Sequence, residues 1–209
     1  MPGFSFELVL IAVAAVAPAA PREDPARPVD PAAAAAQVAT CGFKSARPRF
    51  DHDVAEDVIE VPDVTSASEA QLRCAALASL GTSYFVVFPP AVEQGYLPLY
   101  QRLSDEQEKA AARIWLAKRG LLARLPIYDT AATDEASFAR ALERLCGRKA
   151  AGALQPMHGM ATFSPGAMWT LTKRGSSKGK LDDETFRCLV NASTASGYPI
   201  GFIGNGPSE

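Results

Sequence analysis

This sequence predicts an α+β domain, a small, mostly antiparallel sheet covered by about four helices. Three observations carry the prediction. Period-two alternation marks strands between residues 47 and 61, polar caps and glycine stops bound helices further on, and a helix–Cys–strand pattern occurs twice. Laid over Leu72–Phe88 without a gap, Phe186–Phe202 repeats six of seventeen residues: Arg, Cys, Ala, Ser, Tyr and Phe. A second echo pairs Cys41-Gly42-x-Lys44-x-Ala46 with Cys146-Gly147-x-Lys149-x-Ala151. The offsets, 105 for Cys41 to Cys146 and 114 for Cys74 to Cys188, require a nine-residue loop difference if the chain is an internal duplication.

The chain begins with a leader-like segment. Leu8–Val16 is continuously apolar and Ala17-Pro18-Ala19 supplies a small-x-small cleavage pattern, so residues 1–19 are predicted to be a signal peptide. The apolar run is shorter than the roughly 20 residues a membrane span needs, so no stable span is expected after cleavage. The Pro- and Ala-rich residues 20–40 lack the apolar side chains that offset ordering entropy and are expected to form a tether. The folded domain is then residues 41–209, with halves at 41–103 and 146–209 around a helical insert.

Within the domain, Phe50, His52 and Val54 alternate with Asp51 and Asp53, and Val58, Ile59 and Val61 follow a short break. Two strands joined by a tight turn are expected there, closed by Pro62. Ser66 or Ser68 caps the next helix, which Gly81 stops. Tyr84–Phe88 is continuously apolar, predicting a strand covered on both faces. Residues 91–103, broken by Gly95 and Pro98, have no clear assignment. A helix with a Ser104/Gln107 capping box is expected to place Ala110, Ile114, Ala117 and Leu121 on one face, with Gly120 as its stop. Another runs from a Thr133/Asp134 cap to Cys146 with Phe138, Leu142 and Leu145 on its apolar side. Residues 150–180 read as loop, with one strand at Met168–Leu171.

All four cysteines, Cys41, Cys74, Cys146 and Cys188, lie beyond the leader, and an even count in an exported chain predicts two disulfides. On the repeated helices, Leu72 and Phe186 are expected in the core with Ala76 and Val190, which turns Cys74 and Cys188 toward another layer. The preferred pairing is Cys41–Cys74 and Cys146–Cys188. The rival, Cys41–Cys146 with Cys74–Cys188, would staple the halves together.

Chemistry is sparse. A net charge of −2 gives no field for nucleic acid, and no nucleic-acid partner is expected. Met157-His158-Gly159-Met160 offers two thioethers and an imidazole, soft ligands that suit Cu(I), so copper is the one cofactor the sequence suggests; otherwise none is expected. Asp51-His52-Asp53 brings a histidine beside carboxylates, but on a strand His52 would face away from both. Lys173, Arg174, Lys178 and Lys180 form a basic glycine-rich loop suited to anionic polymers or lipid headgroups. Its spacing does not fit a nucleotide-binding P-loop. These patterns favour an exported, periplasmic or secreted, non-enzymatic protein that binds a ligand or an envelope partner. Two alternatives are an extracytoplasmic hydrolase using His158 or His52 with acidic partners, and a periplasmic copper protein using Met157, His158 and Met160.

Overall fold

The computed structural model describes residues 29–157, 159–167 and 181–201. The α+β class holds, but the strands form two three-stranded mixed sheets rather than one mostly antiparallel sheet. The first half runs α1 (Pro31–Thr40), β1 (Arg47–Asp51), β2 (Glu56–Glu60), α2 (Glu69–Thr82) and β3 (Val86–Val87). Helix α3 (Pro90–Lys118) leads into the second half, which runs α4 (Glu135–Cys146), β4 (Leu154–Met157), β5 (Met160–Phe163), α5 (Asp183–Ser196) and β6 (Ile200–Gly201).

Both sheets are wired alike. An antiparallel hairpin is followed by a helix and a short strand parallel to the hairpin's second strand, in orders β1-β2-β3 and β4-β5-β6. Register matches too. Pro48 pairs with Ile59, which pairs with Val86; Pro156 pairs with Ala161, which pairs with Ile200. Proline donates no ladder hydrogen bond, so its place on the outer strand of each hairpin is the one a sheet tolerates.

Helix α1 corrects the tether expectation for residues 31–40. Pro31 at the first helical position is preorganised for a helix start, and the Asp30 side chain accepts from the Ala32 N–H at 2.7 Å. Its small residues Ala34 and Ala35, with Val38, enter the first core beside Phe43, Ile59 and Val61. Alanine contributes little apolar area, but it lets the helix approach closely. Composition alone missed this, because the partners for that face lie further along the chain.

The same context effect moves other boundaries. Helix α2 has the capping box of Ser68 and Gln71 but continues past Gly81 to Thr82, with Ser83 in the left-handed region at φ 64° as its C-cap. Strand β3 is only two residues long. Val86 is buried while Phe85 is exposed, so cover lies on one face, not two. The expected helix start at Ser104 is interior to α3, because Pro90 opens the helix and the chain runs on through Gly95 and Pro98. At about 1.5 Å per residue, α3 extends roughly 43 Å. Its first part gives Val92, Tyr96, Leu99 and Leu103 to the first core, and its last gives Leu116 to the second. The buried stripe near its end is Ala112 and Leu116, and Ile114 is exposed.

Helix α4 matches its prediction, with the Asp134 cap, Phe138, Leu142 and Leu145 buried, and Gly147 beyond Cys146. The loop expected after residue 150 contains the β4–β5 hairpin, hidden from periodicity by its short strands and Pro156. The Met168–Leu171 strand expectation lies outside the described residues. In α5 the core centre is Leu189 and Ala192, with Phe186 and Val190 half-buried beside it.

The disulfides are Cys41–Cys74 and Cys146–Cys188, with Cα separations of 5.6 and 5.7 Å. Each closes its own half. The glycine after Cys41 and Cys146 has positive φ, 97° and 93°, which a side chain rarely adopts. At Gly42 a Cβ would also stand 2.7 Å from Gln71 Nε2 in the first turn of α2. The repeated Cys-Gly pair thus marks the same exit from α1 and α4 beside each cross-link.

Candidate functional site

The residues singled out by sequence do not assemble into one site. His52 lies in the β1–β2 turn rather than on a strand, its ring edge-to-face against Phe50 with centroids 5.1 Å apart. Asp51 serves the turn instead. Its Oδ1 accepts from the Asp53 N–H at 3.0 Å, and its Oδ2 pairs with Arg49 at 2.8 Å. The Asp53 N–H, then Arg49, hold the Asp51 carboxyl below its usual range against partial desolvation. This is a satisfied turn.

Within the Met157-His158-Gly159-Met160 stretch, Met157 ends β4 and Met160 begins β5, so the hairpin connection is tight. Met157 and Met160 are direct cross-strand partners, and Gly159 has φ 85°, the positive value such tight loops demand. The Gly159 N–H donates to Glu135 Oε1 at the start of α4. Met160 lies against β6, its Cε 2.7 Å from where a Cβ on Gly201 would stand, whereas Met157 is exposed. His158, on which the hydrolase and copper readings both turn, lies outside the described residues, as do Lys173, Arg174, Lys178 and Lys180. Among the described residues no group of three or more His, Cys, Asp or Glu is placed to hold a metal ion.

Open grooves lie between and beside the helices. One, of about 360 Å³, lies between α3 and the end of α5, with Asp105, Glu108 and Lys109 on one wall and Ser193, Thr194 and Pro199 among the residues opposite. A second, of about 380 Å³, lies between α2 and α3 over Leu72, Pro98 and Leu99. The third, also about 380 Å³, lies at the end of α4 and is lined by Arg140, Glu143, Arg144, Gly147, Arg148 and Ala151.

The amphipathic helix positions this third groove. Phe138, Leu142 and Leu145 bury one side of α4, so Arg140 and Arg144, four residues apart, project from the other. Glu143 is buried, and its Oε1 accepts from the Leu154 N–H at 2.8 Å, tying α4 to β4. Arg140 Nη2 donates to Ser137 Oγ at 3.0 Å. The Ser137 hydroxyl and N–H, with Arg140 nearby, lower the Asp134 carboxyl that caps the helix. Beside the groove, Lys149 Nζ lies 2.6 Å from Asp182 Oδ2. The Lys149 hydrogen bond, followed by those from the Thr185 hydroxyl and N–H, holds the Asp182 carboxyl far below its usual range. Helix periodicity marks the apolar side of α4 and says nothing of the three arginines. The spacing of four was the available signal.

No family model, curated protein or solved structure matches this chain.

Proposed function

We propose that this is an exported, non-enzymatic protein that binds a ligand or a partner outside the cytoplasm. The pairing of all four cysteines carries this reading, since disulfides persist in oxidising compartments and are rare in the cytosol. The leader-like Leu8–Val16 run and Ala17-Pro18-Ala19 point the same way. No helix among the described residues is long and apolar enough to cross a membrane. Two cross-linked halves on one long helix make a stiff support for surface grooves, and a preorganised surface loses less entropy on binding. The shared register, capping and cross-links of the halves support descent by internal duplication of a helix–hairpin–helix–strand unit.

Mass spectrometry of the native protein tests the export reading. An N-terminus near Ala20, with the mass lowered by the hydrogens lost to two disulfides, is the expected result. A soluble cytosolic pool that retains Met1 or Pro2 and reacts fully with thiol reagents would overturn it.

A further inference from the structure

Helix α3 is used twice, once against each half, with a shift of thirteen residues. Its buried stripe in the first half, Val92, Tyr96, Leu99 and Leu103, corresponds to Asp105, Lys109, Ala112 and Leu116 toward the second. Thirteen residues turn a helix about 220° beyond whole turns, which aims the two stripes at opposite sides. The contacts with α2 and α5 keep the same order along it. Ser79 stands beside the Tyr96 hydroxyl, and its counterpart Ser193 shares a groove with Lys109. Leu103 and Leu116 are both buried, and Ala112 is buried in the place of Leu99. The other two positions differ in kind. Where the first half has Val92 and Tyr96 buried, the second has Asp105 and Lys109 exposed. The open groove of about 360 Å³ between α3 and α5 therefore lies at the position that Tyr96 fills in the first half.

The groove keeps the surface of that position without the ring. Val190, Gly197, Pro199 and Ile200 help give it a lining more apolar than polar, and an apolar cavity of about 150 Å³ already holds a benzene ring. Two carboxylates stand on the α3 wall. Asp105 accepts from Gln101 Nε2 at 2.8 Å and Glu108 from Ser104 Oγ at 3.4 Å, neutral donors that leave the charge in place. Against the single Lys109, that wall carries an excess of one negative charge. An aromatic side chain buries a large apolar area with few rotors, and a cation beside it complements the carboxylates. We propose that this groove docks an aromatic side chain flanked by Lys or Arg on a partner polypeptide, in the place that Tyr96 occupies within the first half. The proposal deepens the binding reading above and rests on it for its setting, but the two fail separately. Docking by a cytosolic protein would remove the export reading alone, and an exported protein whose groove takes no such side chain would remove this one.

The test titrates the full oxidised chain, isotope-labelled for NMR, with a capped Gly-Lys-Tyr-Lys-Gly peptide. Saturable amide shifts centred on Ser193, Gly197 and Ile200, with a Kd on the order of 1 mM, are the expected result. Leucine in place of the peptide's tyrosine should weaken binding about threefold or more, and glutamates in place of its lysines about tenfold or more. Lys109→Tyr puts the first half's residue into the groove, so it should abolish peptide binding and raise the urea midpoint. D105N/E108Q should lower affinity for the basic peptide about tenfold. E56Q/D57N, which removes the same charge from exposed positions on β2, should bind as the native chain does. Circular dichroism and intact disulfides establish that each variant folds. Absence of saturable shifts up to about 10 mM peptide, equal affinity for the tyrosine and leucine peptides, or equal loss in the two charge variants would overturn the proposal. A lower urea midpoint or unchanged binding in Lys109→Tyr would do the same. So would binding that appears only once residues 202–209 are removed, or a dimer that Lys109→Tyr dissolves, since the groove would then belong to the chain's own end or to a second copy.

Discussion

The two halves share register and cross-links, yet α3 sets different groups against them. In the first half, Tyr96 is buried with its ring centroid 4.9 Å from that of Phe88, and Tyr100 lies 6.1 Å from Phe85. In the second, Ser193, Tyr198 and Pro199, the counterparts of Ser79, Tyr84 and Phe85, face Asp105, Glu108 and Lys109 across an open groove. The second half takes its aromatic packing from elsewhere, with Tyr198 ring centroids 4.8 and 5.1 Å from those of Tyr128 and Phe138. What stays constant is the wiring: a side-chain-capped second helix, one disulfide, and a serine bridging that helix to the strand after it. Ser79 Oγ donates to the Tyr84 carbonyl, and Ser193 Oγ to the Tyr198 carbonyl. The aromatic filling varies around this frame.

The severest test of this comparison is to open each disulfide in turn. Cys41–Cys74 spans 33 residues and Cys146–Cys188 spans 42, so chain entropy assigns each about 4 kcal/mol of stabilisation. Urea unfolding of the C41A/C74A and C146A/C188A variants should show comparable losses, each confined at low urea to amide protons of its own half. Simultaneous exposure of both halves in either variant would mean that α3 makes them one cooperative unit, and the comparison would no longer describe stability.

The serine bridges come next. Each hydroxyl satisfies a carbonyl at the turn between helix and strand, and losing the donor to a buried carbonyl costs about 1–3 kcal/mol. Ser79→Ala and Ser193→Ala should therefore destabilise to a similar degree, measured as a lower urea midpoint with unchanged slope. A cost at only one position would break the equivalence of the halves at its most local point.

How much of this was legible follows from where the determining interactions lie. The cysteine pairing followed from local geometry, because helix periodicity sets the direction of Cys74 and Cys188 whatever packs nearby. Helix α4 was legible for the same reason, with cap, apolar side and terminal glycine all within its own residues. Helix α1 was not, since Ala34 and Ala35 become core only against Phe43, Ile59 and Val61. Pro98 looked like a helix breaker, yet α3 continues through it with Tyr96 and Leu99 buried on either side, so tertiary packing outweighs a local penalty of about 3 kcal/mol. The arginine groove left only a spacing in the sequence. The groove itself belongs to the folded surface.

Acid should separate the halves where their helix caps differ. Helix α2 is capped by Ser68, which carries no charge, and α5 by Asp182. The folded pKa of Asp182 lies below its unfolded value near 4. Its contribution is therefore present above about pH 4 and is lost as pH falls toward the folded pKa. Solvent around this half-exposed pair keeps the effect modest. Amide exchange between about pH 4 and pH 2 should show protection falling first in α5, and Asp182→Ser should remove that pH dependence. Earlier opening of α2 would reverse the assignment.

The finest difference is one residue at each helix end. Ser83 and Gly197 occupy corresponding positions and both adopt left-handed backbone, φ 64° and ψ 20° against φ 79° and ψ 13°. For an L-residue this conformation costs about 1–2 kcal/mol relative to right-handed backbone, whereas glycine adopts it freely but loses more entropy on folding. Ser83 is exposed, so glycine there removes strain without removing packing. Ser83→Gly should stabilise by a few tenths to about 1 kcal/mol, and Gly197→Ser should destabilise by about 1 kcal/mol. Paired urea titrations read both as opposite shifts of the midpoint. A stabilising Gly197→Ser, or a clearly destabilising Ser83→Gly, would mean that the two helix ends solve different local problems, and the correspondence between the halves would end at residue 82.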